Sequence, residues 1–231
     1  MNNVQSTTKQ LDFISVNSIE SIKLFFLTLC ILSLFCLWAA QSFASTPDTQ
    51  RIVALGDSLT SGYGLESGDS FPSQLEKLLR AEGFPVSIDN AGVSGDTTAG
   101  GLSRVEWAVE GDIKPSLVII ALGANDMLRG LPVEQTKNNL SSIIEIIQKK
   151  NIPILLIGMK SPLNYPSPFI KKFNGLYHDL ADKYDVALYP FFLEGIAMKS
   201  ALNQADGIHP NSEGIKIMAK NILPHVKKII K

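Results

Sequence analysis

From residue 51 to the end, short runs of apolar residues alternate with longer stretches whose apolar residues recur at helical spacing, and this constrains the chain more than any other feature. Residues 52–55 and 117–122 are apolar throughout and each stops at a glycine, Gly56 and Gly123. A strand without polar alternation must be covered on both faces. Repeated strand-then-helix units meet that need with a parallel sheet between two helical layers. Strands are expected at residues 51–55, 86–89, 117–122, 154–157 and 186–188. Helices are expected from Phe71 to before Gly83, over 98–109, along a stretch after Pro132, over 169–184 and after Pro210, where Asn211 or Ser212 caps. Residues 160–168 hold three prolines and read as a loop. The expected fold class is therefore α/β: a three-layer α/β/α sandwich with a five-stranded parallel, flavodoxin-like sheet in the order 2-1-3-4-5.

Residues 1–44 read differently. Lys23 precedes an apolar run over 24–40, and Ser42-Phe43-Ala44 follows as a small-x-small site. That pattern is a secretory signal peptide with cleavage after Ala44; an uncleaved anchor is the alternative. Residues 45–231 then form one domain, placed in the periplasm or outside the cell. Both cysteines, Cys30 and Cys36, lie in the apolar run, leaving no disulfide or thiol chemistry for the mature domain. Charge is nearly balanced, Lys plus Arg 21 against Asp plus Glu 22. Nucleic-acid binding has little electrostatic support.

In an open parallel sheet, ligands bind beyond the carboxyl ends of the strands. The polar residues expected there are Gly56-Asp57-Ser58, Asn90-Ala91-Gly92, Asn125-Asp126 after Gly123, and Asp206 to Pro210. A serine hydroxyl needs an adjacent base to become a nucleophile. Of three histidines, His178 and His225 fall inside expected helices, whereas His209 sits in a loop at the right rim. Asp206, three residues upstream, is placed to hold its imidazole. Ser58, Asp206 and His209 thus make a candidate catalytic triad. Backbone N–H groups of Ser58 and Gly92 and the Asn125 amide are candidate oxyanion donors. Each triplet alone is more often an ordinary turn, and Asp-x-x-His also occurs in metal sites; with no mature cysteine and the other histidines distant, no metal is expected.

The blocks G-D-S-L at 56–59, N-A-G-V-S-G-D-T at 90–97, G-A-N-D at 123–126 and D-G-I-H-P at 206–210 resemble those of the SGNH, or GDSL-type, hydrolase superfamily, over nearly all of residues 45–231. Leu128-Arg129-Gly130-Leu131, Pro190-Phe191-Phe192 and Pro162-x-Asn164-Tyr165 resemble its bacterial periplasmic thioesterase and lysophospholipase branch. The resemblance implies Ser58 as nucleophile, Gly92 and Asn125 in the oxyanion hole, and Asp206 with His209 completing the triad. It also implies no cofactor, and acyl ester or thioester substrates: long-chain acyl-CoA, lysophospholipids and simple esters.

Pro162, Leu163 and Tyr165, in the proline-rich loop over the same rim, are candidate acyl-chain contacts. A monomer touching membrane lipid transiently is expected. Rival readings are a carbohydrate O-acetyl esterase on the same frame, a nucleotide-binding module and a non-catalytic lipid carrier. No G-x-G-x-x-G or P-loop lysine supports the nucleotide reading, and no G-x-S-x-G elbow surrounds Ser58.

Overall fold

A computed structural model describes residues 49–66 and 68–230. The expected signal peptide, its cleavage site and both cysteines lie outside the described residues.

Five parallel strands form one sheet in the order β2-β1-β3-β4-β5. They are β1 Gln50–Gly56, β2 Val86–Gly92, β3 Leu117–Ala121, β4 Ile154–Ile157 and β5 Ala187–Tyr189. The helices are α1 Ser58–Ser61, α2 Phe71–Ala81, α3 Thr98–Val109, α4 Ala124–Leu128, α5 Val133–Lys149, α6 Ser167–Tyr184 and α7 Ser212–Lys227. Helices α2 and α7 pack together, and α5 packs against both α3 and α6. With right-handed crossovers, the step from β1 to β2 runs opposite to every later step, so α2 falls on one face and α3, α5 and α6 on the other.

The apolar runs become the centre of the core. Ile52, Val53, Leu55, Leu117, Val118 and Ile120 have no exposed surface, facing helices on both sides of the sheet. Burying each such side chain contributes about 1.5–3 kcal/mol. Leu140, Ile143, Ile144 and Ile147 bury one face of α5, as their spacing predicts. Pro132 stands at the N-cap of that helix. Asn211 caps α7, accepting from the N–H groups of Glu213 and Gly214.

Differences from expectation have local causes. Helix α6 begins at Ser167, inside the proline-rich stretch, because proline is tolerated in a first helical turn, where its missing N–H has no intrahelical partner. Strand β2 runs on to Gly92 because β1 pairs with it to that point, although Asp89 and Asn90 break the apolar pattern. The short helices α1 and α4, too brief for periodicity to reveal, both carry residues of the site.

The reversal of crossover direction at β1 opens a crevice between the loops that leave the carboxyl ends of β1 and β3. Ser58 follows β1 and Asn125 follows β3.

Candidate active site

Asp57 opens α1, its Oδ1 accepting from the Leu59 N–H at 3.0 Å, and so sets Ser58 on the first turn beyond the sheet. The 206–210 loop, which precedes α7, is held by its own turn. Asp206 Oδ1 accepts from the N–H groups of Ile208 and His209, each at 3.0 Å. Its Oδ2 lies 2.7 Å from His209 Nδ1. The His209 backbone N–H, then the imidazole, then the Ile208 N–H draw the Asp206 pKa down to about 2, so the carboxylate stays charged beside the ring. With Nδ1–H donating to Asp206, Nε2 faces Ser58 Oγ at 2.9 Å and accepts from the hydroxyl. The structure therefore brings Ser58, His209 and Asp206 into one hydrogen-bonded line. His178 is exposed on α6, and His225 packs edge-on against Tyr189 with centroids 5.0 Å apart.

Two further residues steady that line. Gln204 Nε2 donates to the Tyr63 carbonyl at 2.7 Å and to the Pro210 carbonyl at 3.0 Å, and its backbone N–H donates to the His209 carbonyl at 2.7 Å. It thus ties the turn after α1 to the histidine loop. The Tyr63 ring lies against the imidazole, centroids 4.7 Å apart.

The donor side needs one correction. Gly92 N–H donates to Asn90 Oδ1 at 3.0 Å, so it is already engaged. The position is glycine for a packing reason: a Cβ there would stand 2.4 Å from the Ser61 nitrogen. Gly95, three residues on, has a left-handed φ of 79°, and its N–H meets no acceptor among the described residues. The same holds for the Ser58 N–H. Asn125 Nδ2 donates to the carbonyl of Asp96, the residue after Gly95, at 2.9 Å, and to Asp57 Oδ2 at 3.3 Å. Arg104 fixes this corner, pairing with Asp96 at 2.8 Å and donating to the carbonyls of Ala91 and Gly56. Asp126, beside Asn125, is buried and accepts from Thr98 and Thr136, a structural role.

A cleft of about 290 Å³ opens beside Ser58 and His209. Its apolar walls come from Leu59, Met127, Met159, Phe191, Leu193 and Met198. The expected acyl contacts are only partly found there. Pro162 lines the cleft, but Leu163 is 90% exposed and is not part of its lining. Tyr165 is used in packing: its hydroxyl donates to the Met127 carbonyl at 3.2 Å and its ring stacks on Phe169. The residues missed from sequence, Phe191 and Met198 among them, sit in irregular segments after β5, where no periodic pattern assigns a face.

A parallel α/β sandwich with a Ser-His-Asp line at its topological switch point defines a hydrolase. The chain matches the GDSL-like Lipase/Acylhydrolase family over residues 54–217 and belongs to that family. It is 37% identical over 181 residues to Esterase TesA of Pseudomonas aeruginosa, covering 78% of this chain and 90% of that protein. It is 35% identical over 187 residues to Thioesterase 1/protease 1/lysophospholipase L1 of Escherichia coli K12, covering 79% of this chain and 87% of that one. The crystal structure of AlinE4, an SGNH-hydrolase family esterase, is 44% identical and superposes with a TM-score of 0.68, covering 81% of this chain and all of that one. The sandwich expected from sequence is likewise that of the TesA crystal structure, with a TM-score of 0.75 at 36% identity, over 78% of this chain and all of that one.

Proposed function

We propose that the protein hydrolyses acyl esters and thioesters through an acyl-enzyme on Ser58. The observation that carries this reading is the 2.9 Å contact between Ser58 Oγ and His209 Nε2, continued at 2.7 Å to Asp206, beside an apolar cleft. In the first step His209 takes the hydroxyl proton as Ser58 Oγ attacks the acyl carbon. Negative charge develops on the carbonyl oxygen, and the N–H groups of Ser58 and Gly95 with the Asn125 amide stabilise it. The tetrahedral intermediate collapses as the imidazolium returns its proton to the leaving alcohol or thiol, leaving the acyl group on Ser58. Water, deprotonated by His209, repeats the sequence and releases the acid. Asp206 stabilises the imidazolium in both halves.

Long-chain acyl thioesters, lysophospholipids and simple esters are the substrate classes, a reading supported by the apolar walls of the cleft and by the names of the relatives. Apolar walls favour an acyl chain over the acetyl group of a sugar ester. The enzyme acts without a cofactor, as a monomer, in the periplasm or outside the cell after removal of residues 1–44. No helix among the described residues is long and apolar enough to cross a membrane.

Hydrolysis of p-nitrophenyl esters and acyl-CoAs across chain lengths tests the proposal. Ser58→Ala and His209→Ala should each remove nearly all turnover, because the two act as one unit, and Asp206→Ala should cost less. Near-normal turnover in Ser58→Ala ends the proposal.

A further inference from the structure

Large apolar side chains exposed singly need no explanation, but their concentration on one surface does. All but two of those exposed among the described residues follow the carboxyl ends of the strands: Tyr63, Val93, Leu128, Leu163, Met198 and Ile208. Each is tied to the site by a direct relation. The Val93 N–H donates to the carbonyl of Gly56, the last residue of β1. The Tyr63 ring lies on His209, and Leu128, Met198 and Ile208 line the mouth of the cleft. Leu163 adjoins Pro162 on its rim. The two exceptions are Trp107 and Ile113; the Ile113 carbonyl accepts from Arg51, at the opposite end of β1.

Met198 is 97% exposed and has a left-handed φ of 66°, uncommon for a residue with a side chain. Its turn is fixed on either side, by Ala197 N–H to the Leu193 carbonyl and Lys199 N–H to the Ile196 carbonyl. The turn therefore presents Met198 at the mouth of the cleft, almost wholly exposed.

Cations accompany these apolar tips. Arg129 follows Leu128, Lys199 follows Met198, and Lys160 lies in the loop of Leu163. Lys199 and Arg129 have no carboxylate partner among the described residues, although Arg129 donates to the Gly95 carbonyl at 2.5 Å; Lys160 makes a 3.9 Å contact with Glu194 and lies 4.8 Å from the centre of the Phe191 ring. The nearby carboxylates of Asp96 and Asp206 are already paired, with Arg104 and His209. Apolar tips beside cations that have no close carboxylate suit a lipid surface: the tips enter the acyl layer while the cations meet phosphate.

We propose that this rim is a docking surface for aggregates of anionic phospholipid, seating the cleft mouth on the lipid so that an acyl chain reaches Ser58 without crossing water. Its purpose rests on the proposed acyl hydrolysis at Ser58, but the binding does not.

The test is flotation of the processed chain, residues 45–231, carrying Ser58→Ala, with phosphatidylcholine vesicles, with and without phosphatidylglycerol. Leu163→Asp together with Lys199→Glu is compared on the same background, since neither side chain lines the cleft. The Ser58→Ala chain should bind the anionic vesicles more tightly than the neutral ones, and the added pair should weaken anionic binding at least about tenfold. With Ser58 intact, the pair should leave turnover of a short soluble ester unchanged. Equal binding by parent and variant overturns the proposal, as does a loss that extends to the soluble ester. A rim-dependent dimer in sedimentation, with no vesicle binding, would assign the surface to a second copy instead. If the wild type proves inactive on every ester, the vesicle arm still decides docking.

Discussion

Asn125 and Asp57 meet across the floor of the site, the amide donating to the carboxylate over 3.3 Å while its other hydrogen is held by the Asp96 carbonyl at 2.9 Å. Both hydrogens are thus engaged, and the longer, weaker bond is the one a developing oxyanion would take over. Asn125→Ala should lower kcat about 10²–10³-fold and leave KM nearly unchanged, measured on a soluble ester. A rise in KM alone would make Asn125 a substrate-binding group.

Asp57 itself makes a pH prediction. Burial pushes its pKa up to about 6 from 3.8, against the pull of the Leu59 N–H and the His209 charge. The folded state therefore holds this proton more tightly than the unfolded chain. Stability from Asp57 is full below the unfolded pKa and declines as pH rises through the folded one, then stays level. The total is roughly 3 kcal/mol. Asp57→Asn should flatten the fall in denaturant midpoint between about pH 4 and pH 6, a window taken from that shift. An unchanged slope would place the titration elsewhere.

Gly92 and Gly95 separate packing from catalysis. Gly92→Ala drives a Cβ into the α1 backbone and should lower Tm, at a cost of about 1–3 kcal/mol, with kcat of the folded fraction little changed. Gly95→Ala faces only the Arg129 guanidinium, 3.5 Å away, but must hold a left-handed φ, so the N–H should swing out of line. Its larger loss should appear in kcat. The reverse pattern would return the donor role to Gly92.

The fold was legible because it depends on runs that have one physical solution: Ile52 to Leu55 and Leu117 to Ile120 must be buried on both faces, and strand ends then locate Ser58, Asn125 and His209. The donor glycine was not legible. Gly92 closes β2 and Gly95 lies in the turn that follows, and it is the Asn90 side chain, taking the Gly92 N–H, that tells them apart as donors. Asp57 was visible as a strand-end residue, but its link to Asn125 joins loops from different strands. The acyl wall failed for a related reason. Leu163 and Tyr165 belong to the right loop, yet composition does not say which way a loop side chain turns.

Gln204 should matter to rate although its hydrogen bonds go to Tyr63, Pro210 and the His209 carbonyl rather than to Ser58. Gln204→Glu removes the amide donor and sets a carboxylate against the Tyr63 and Pro210 carbonyls, loosening the histidine loop from α1. Turnover should fall about tenfold through misalignment of the base, with KM little altered. Labelling of Ser58 by an organophosphonate should slow in parallel. A lower Tm with normal turnover at low temperature would reduce Gln204 to a structural tie.

Chain-length preference tests the cleft. Its apolar walls come from the ends of several loops, Phe191 and Leu193 after β5 facing Met127 and Met159. Each CH₂ buried there contributes up to about 0.8 kcal/mol, or about fourfold in kcat/KM. Specificity should therefore climb from acetyl toward medium and long chains, then level off when the cleft is full. Phe191→Ala together with Leu193→Ala should flatten the climb and leave acetyl-ester turnover almost untouched, because the walls are reached only by the longer chains. Leu163→Ala should leave the climb on soluble esters intact, its side chain being outside the cleft. Tyr165→Phe should cost stability rather than selectivity, since its hydroxyl serves the Met127 carbonyl. A climb flattened by Leu163→Ala instead would mean that the 160–166 loop folds over bound substrate. A wild-type preference for acetyl would show that the apolar walls do not hold the acyl chain at all, and would point to a sugar O-acetyl ester.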